Sequence, residues 1–267
     1  MNAGHANIVV RPRSVRESLD LTLPFLIRVG GLGYLRLAAV VLLPALALCL
    51  FVRAWLELDW GQTWLLALPL GVWLQGIFTL AAGELMFSER LDTAVLLRRF
   101  ARRVISYSWA MLLTRTLCLG LATTLVLAPW IWSRVLYTPE ASLLEGASAM
   151  PALGRASRLG ASAGTFELLF WLVMTLGFGI VGAENLGYGL VNQLLELDVR
   201  WGDLMEEQGS LYALMGWFGA LPVAATFRFL RYIDARTRSD GWDIQIELQR
   251  VQSGGELRRA VPLAEAR

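Results

Sequence analysis

The feature that most constrains this chain is the recurrence of apolar runs long enough to cross a bilayer. About twenty apolar residues in a helix span a hydrocarbon core of about 30 Å. Runs of that kind lie near Leu35–Val52, Trp64–Leu85, Ser106–Pro129, Phe166–Gly189 and Leu211–Phe229. In lipid each backbone N–H and C=O must be satisfied inside its own element, so long uninterrupted runs predict helices. The expected fold class is therefore all-α, a polytopic membrane helical bundle. The 17% of charged residues fits this, being well below the roughly 25% of soluble domains. Trp55, Trp60 and Trp64 cluster at the first turn, and Trp130 and Trp132 close the third run, as interfacial aromatic belts do.

What lies between the runs sets the orientation. The stretch Glu89–Val104 (ERLDTAVLLRRFARRV) places Thr93, Leu97, Phe100 and Val104 on one helical face. Arg98, Arg99, Arg102 and Arg103 fall opposite. An apolar stripe against an arginine face predicts an interfacial helix, its arginines turned to anionic lipid headgroups. Looser versions of this block occur at Ser14–Gly30 and Gly146–Gly164, so three amphipathic interfacial helices are expected. The segment before the first run holds four arginines, the Arg53–Gln62 loop one, the central block five, and the tail beyond Leu230 seven. The loop at Asn192–Gln208 is acidic. Arginine-rich loops stay inside. With five runs crossing, that rule holds throughout only if the awkward segment Trp130–Glu145 also crosses as a short or broken helix. The expectation is thus six crossings with both termini cytoplasmic, in a bacterial inner membrane.

Several activities lack their residues. All 24 basic residues are arginine, which excludes a P-loop lysine and Schiff-base chemistry. Gly160-Ala-Ser162-Ala-Gly164 fits G-x-S-x-G, yet the only histidine is His5, so the triad reading fails. Cys49 and Cys118 both fall inside apolar runs and indicate neither a disulfide framework nor a metal site. No catalytic, cofactor-binding, metal-binding or nucleic-acid-binding residues are indicated. Met1–Arg13 has no apolar core, so no cleaved signal peptide is expected.

Charges at membrane depth are the candidate functional residues, because they are costly and usually face a bundle interior or water. These are Arg134 and Glu140 in the short fourth crossing, with Arg115 and Glu84 on the cytoplasmic sides of their runs. An Arg134–Glu140 pair, a partner contact, or a broken helix of the kind that binds substrate in transporters would each explain the fourth crossing. Small residues at four-residue spacing (Thr175, Gly179, Ala183, Gly187, and Thr116, Gly120, Thr124) mark close helix contacts within the bundle or to another chain.

Beyond the last run a basic helix continues to about Arg238. Asp240-Gly241 makes a turn, and Trp242–Leu248 alternates as a short cytoplasmic strand that needs a partner sheet or fold-back. Arg231, Arg236, Arg238, Trp242, Ile244 and Ile246 are the candidate partner-binding residues. The domain plan is a disordered tail at 1–13, a membrane domain at 14–231, a juxtamembrane helix and strand at 232–249, and a disordered tail at 250–267.

The motif Y-I-D-x-R-x-R-x-D-G-W-D-I at Tyr232–Ile244 resembles the tail of a family of uncharacterised bacterial multi-span membrane proteins. So do the leader Ser14–Arg28 and the block Leu143–Leu159 (L-L-E-G, then A-L-x-R-x-x-R-L). That family is similar to the membrane domain of glycerophosphodiester phosphodiesterases and to Yip1/YciC-like proteins. The resemblance implies a membrane fold and no catalysis, since phosphodiesterase activity belongs to a separate soluble domain. It also implies a membrane complex, because such proteins are often encoded near MoxR-type AAA+ ATPases and von Willebrand factor A-type proteins. The expected function is a non-catalytic subunit or scaffold of an inner-membrane complex. A transporter or channel subunit using the broken fourth crossing is the alternative.

Overall fold

The computed structural model describes residues 12–88, 91–121, 127–162, 164–196 and 202–241. Helix α1 (Val15–Pro24) begins where the Ser14 side chain accepts from the Glu17 N–H at 3.2 Å, an N-cap. Pro24 has no N–H to give, and the chain widens into a π-helical segment, Phe25–Gly30, before α2 (Gly31–Trp55). Helix α3 (Trp60–Leu85) starts on a capping box made by Asp59 and Gln62. Asp92 accepts from the Ala94 and Val95 N–H groups at the start of α4 (Thr93–Leu121). Two short helices follow, α5 (Leu127–Val135) and α6 (Thr138–Leu143), separated by a turn at Leu136 and Tyr137. After α7 (Ala149–Leu159), α8 (Thr165–Tyr188) runs into a second π segment, Gly189–Leu194. The antiparallel pair β1 (Gly202–Asp203) and β2 (Gly209–Ser210) leads to α9 (Leu211–Asp240), capped by Ser210 at its start and by Gly241 (φ 60°) at its end.

Helix α9 is the axis of the bundle. Of its most apolar stretch 83% is buried, against 11% for α8, so α9 is wrapped by protein while α8 turns most of its surface outward. It packs chiefly on α8 and α3, with α1 and α2 alongside. The α8–α9 approach is close because small residues face each other. A Cβ on Gly179 would stand 2.6 Å from that of Ala220, and Gly216 sits against the Gly179 carbonyl and Ala183. The ridge at Thr175–Gly187 is therefore an internal seam. Thr116 and Gly120 of the second ridge are exposed, and Thr124 lies outside the described residues.

Among the described residues four helices are long and apolar enough to cross a membrane: Val15–Trp55 (α1 with α2), α3, Thr165–Val191 (α8 with its extension) and α9. Helix α4 is described to Leu121, with its arginine block and the start of its apolar run in one continuous helix, and residues 122–126 of that run lie outside the described residues. The central basic block is thus not an element of its own, and only the third amphipathic block stands alone, as α7.

The elements sort to two ends. At one, Trp60 and Trp64 pack on Gly202, Gly209 and Gln208. There the Glu184 carboxylate of α8 accepts from the Ser210 hydroxyl and the Leu204 N–H. Helices α4 to α7 gather at the other end, where α9 finishes. Arg103 of α4 donates to the Leu143 carbonyl of α6, and Leu153 of α7 packs on Cys118, Ile131 and Val135. Arg155 of α7 is ion-paired to Asp240, the last residue of α9. Leu117, Leu127 and Trp130 line a groove with Met150, Leu153 and Ser157, so both sides of the α4–α5 connection lie against α7. Trp242, Ile244, Ile246 and the expected strand lie outside the described residues, as do residues 1–11 and 249–267.

Candidate functional site

The chemistry of the molecule sits on the C-terminal half of α9, as a ladder of polar side chains in an otherwise apolar interior. Thr226 shares a hydrogen bond of 2.8 Å with the Tyr34 hydroxyl of α2. Next, Arg228 spends all three guanidinium nitrogens inside the bundle. Its Nε donates to Glu140 Oε1 at 2.7 Å, Nη1 to Gln75 Oε1 at 2.6 Å, and Nη2 to Thr79 Oγ1 at 3.3 Å. The Arg228 and Glu140 side chains are 6% and 0% exposed. Gln75 and Thr79 reach the same guanidinium because residues four apart share a helix face.

One turn further, Arg231 and Asp234 form a second buried pair at 2.7 Å, each side chain 2% exposed. This pair holds the backbone of Arg13, the residue before the leader and the last of the expected disordered tail. The Arg13 N–H donates to Asp234 Oδ1 at 2.5 Å, and the Arg13 carbonyl accepts from Arg231 Nη1 at 2.9 Å and Arg238 Nη2 at 2.7 Å. At the end of α9, Tyr232 donates to Glu145 at 2.6 Å. Arg155 bonds both Glu145 and Asp240, and Arg236 lies 3.7 Å from Glu145 and 3.5 Å from Asp240. The three sequence blocks singled out separately, the leader, L-L-E-G with its arginines, and Y-I-D-x-R-x-R-x-D, therefore meet at one place.

Several expectations are corrected by this geometry. Glu140 pairs with Arg228, not Arg134; Arg134 instead stands over the Trp130 ring at 5.1 Å, a cation–π contact. Arg231 is buried against Asp234 and cannot meet a partner. Arg103 does not face lipid but turns inward to cap α6. Arg98 and Arg102 are exposed, and Arg99, 53% exposed, lies 3.4 Å from Glu84. Of the partner-binding set Arg238 remains partly exposed while holding Asp234, and Arg236 is half-buried. Arg228 and Asp234 were not singled out from sequence. The available signal was the cost of an unpaired Glu140 at depth, which demanded a cation, and Arg228 was the one arginine inside the last apolar run.

Beside this ladder lies a cavity of about 300 Å³ between α3, α4, α5, α8 and α9. Its walls are mainly apolar, and Gln75, Thr114, Arg115 and Arg228 supply its polar part. Among the described residues no group of histidine, cysteine or carboxylate side chains is arranged to hold a metal ion. A scan against protein-family models, a search of curated proteins and a search of solved structures each find no match for this chain.

Proposed function

We propose that this chain is a non-catalytic integral membrane subunit, a scaffold that presents an arginine-bearing surface to the membrane and to another protein. One observation carries the reading. The buried carboxylates, Glu140, Glu184 and Asp234, are each bonded by donors from another element: Arg228, Ser210 with Leu204, and the Arg13 N–H. Their charge is spent bracing joints, so the interior reads as framework. Arg98 and Arg102, exposed on α4 and four residues apart, are left for an external anionic surface.

Four crossings, α2, α3, α8 and α9, suit this framework better than six. Removing α4 and the α5–α6 pair together as crossings changes no parity, so the arginine rule is obeyed as before, with both termini inside. The short helices then form a layer around the cytoplasmic end of α9. That both termini are cytoplasmic, that the membrane is a bacterial inner membrane, and that the partner belongs to an AAA+ ATPase system are parts of the same proposal, the last resting on the family resemblance alone.

Affinity purification of the full chain from its native membrane tests the reading. A stoichiometric partner protein is expected, retained by wild type and lost or weakened on replacing Arg98 and Arg102 by glutamate. A monodisperse chain without a partner, able by itself to move a solute across vesicles, supports the transporter alternative and overturns the scaffold.

A further inference from the structure

The cavity between α3, α4, α5, α8 and α9 contains a charge that the framework does not use. Arg228 is neutralised by Glu140, but Arg115 has no carboxylate partner among the described residues, and its Nε is buried without a hydrogen-bond partner. An unpaired guanidinium in an apolar interior carries a large desolvation cost unless an anion meets it. At about 300 Å³ the space is at the small end of ligand pockets, and its form is theirs, apolar walls with a few convergent polar groups. Leu68, Trp132 and Val173, from α3, α5 and α8, belong to its lining and are 42%, 40% and 48% exposed. The cavity thus opens onto the outward surface of the bundle between α3, α5 and α8.

We propose that this cavity is a site for one anionic amphiphile taken laterally from the bilayer, a phospholipid whose single negative headgroup charge meets Arg115 while an acyl chain lies along Leu68, Val72 and Leu172. Two features select this chemistry. The unmatched charge is one positive unit, which fits a monoanionic headgroup. The walls are too apolar for a fully hydrated soluble ion, whose shell would be stripped with nothing to replace it beyond Arg115, Gln75 and Thr114. Arg228 contributes its field while remaining bound to Glu140.

Native mass spectrometry of the full chain in detergent, titrated with phosphatidylglycerol or phosphatidylcholine, tests this. Wild type is expected to bind one phosphatidylglycerol with a preference of about tenfold or more, the size of one charge-assisted hydrogen bond. Arg115→Gln should bring the preference to about twofold or less, and Arg115→Lys should keep most of it. Should Arg115→Gln not stay monodisperse, Val173→Trp at the rim should block binding, while Leu65→Trp, exposed elsewhere on α3, should not. Equal binding of the two lipids by wild type, or a preference that survives Arg115→Gln, overturns the site. Competition by inorganic phosphate at millimolar concentration overturns the lipid as occupant and assigns the pocket to a soluble anion.

Discussion

Arg228 shows how a single residue organises the interior. A guanidinium in an apolar bundle is tolerable only when its donors are met, and Glu140, Gln75 and Thr79 meet all three nitrogens from two other helices. Such a pair stabilises little relative to an apolar substitute but is expensive to break from one side. Arg228→Ala should therefore destabilise the fold by about 3–5 kcal/mol, read as a lower melting temperature in detergent. Replacing both partners with apolar residues of similar volume, Glu140→Leu with Arg228→Met, should recover most of that loss. A double variant as unstable as the single one would mean that the pair has a role beyond mutual neutralisation. Residue by residue, the sequence showed that Glu140 was out of place in an apolar context. It did not show the partner, because sequence proximity pointed to Arg134, which its own helix carries round to Trp130. Pairings between residues 88 positions apart depend on helix packing, which periodicity alone does not contain.

At the scale of elements, the clearest success of sequence reasoning is the ridge on α8. Four-residue spacing of small side chains asks for a close neighbour, and α9 supplies one through Gly216 and Ala220. Gly216→Leu should separate the two helices and cost about 2 kcal/mol or more, by overpacking. Gly182→Ala, whose added methyl meets open space, should be within about 0.5 kcal/mol of wild type. Equal effects would argue against the seam. The start of α1, the extension of the last run to about Arg238 and the turn at Asp240-Gly241 were also legible, because caps and turn glycines are local signals; the helix itself runs two residues further, to Asp240. The central arginine block was legible in composition but not in extent. Nothing in its sequence breaks the helix at Val104, so the amphipathic face and the apolar run became one element, α4.

For the whole molecule, the quantity to be tested is the number of crossings. Arginine placement constrains which loops share a side, and a fixed side is compatible with six crossings or with four. The six-crossing expectation assumed that Ser106–Pro129 spans, after which Trp130–Glu145 had to span as well. The four-crossing proposal takes the contacts of α4 to α7 with one another and with the end of α9 as those of one layer, in which neither segment crosses. The measurement that separates the two is labelling of single cysteines by a membrane-impermeant thiol reagent, applied from either side to oriented vesicles of a variant with Cys49 and Cys118 replaced by alanine. Glu57→Cys, in the α2–α3 turn, and Ser239→Cys, near the end of α9, mark the two sides. Trp130→Cys, exposed and at the far end of the expected third span, is the probe. Four crossings require that Trp130→Cys is never reached from the side that labels Glu57→Cys, whether or not it is reached from the Ser239 side. Labelling of Trp130→Cys together with Glu57→Cys would contradict the four-crossing bundle and require a span through α4.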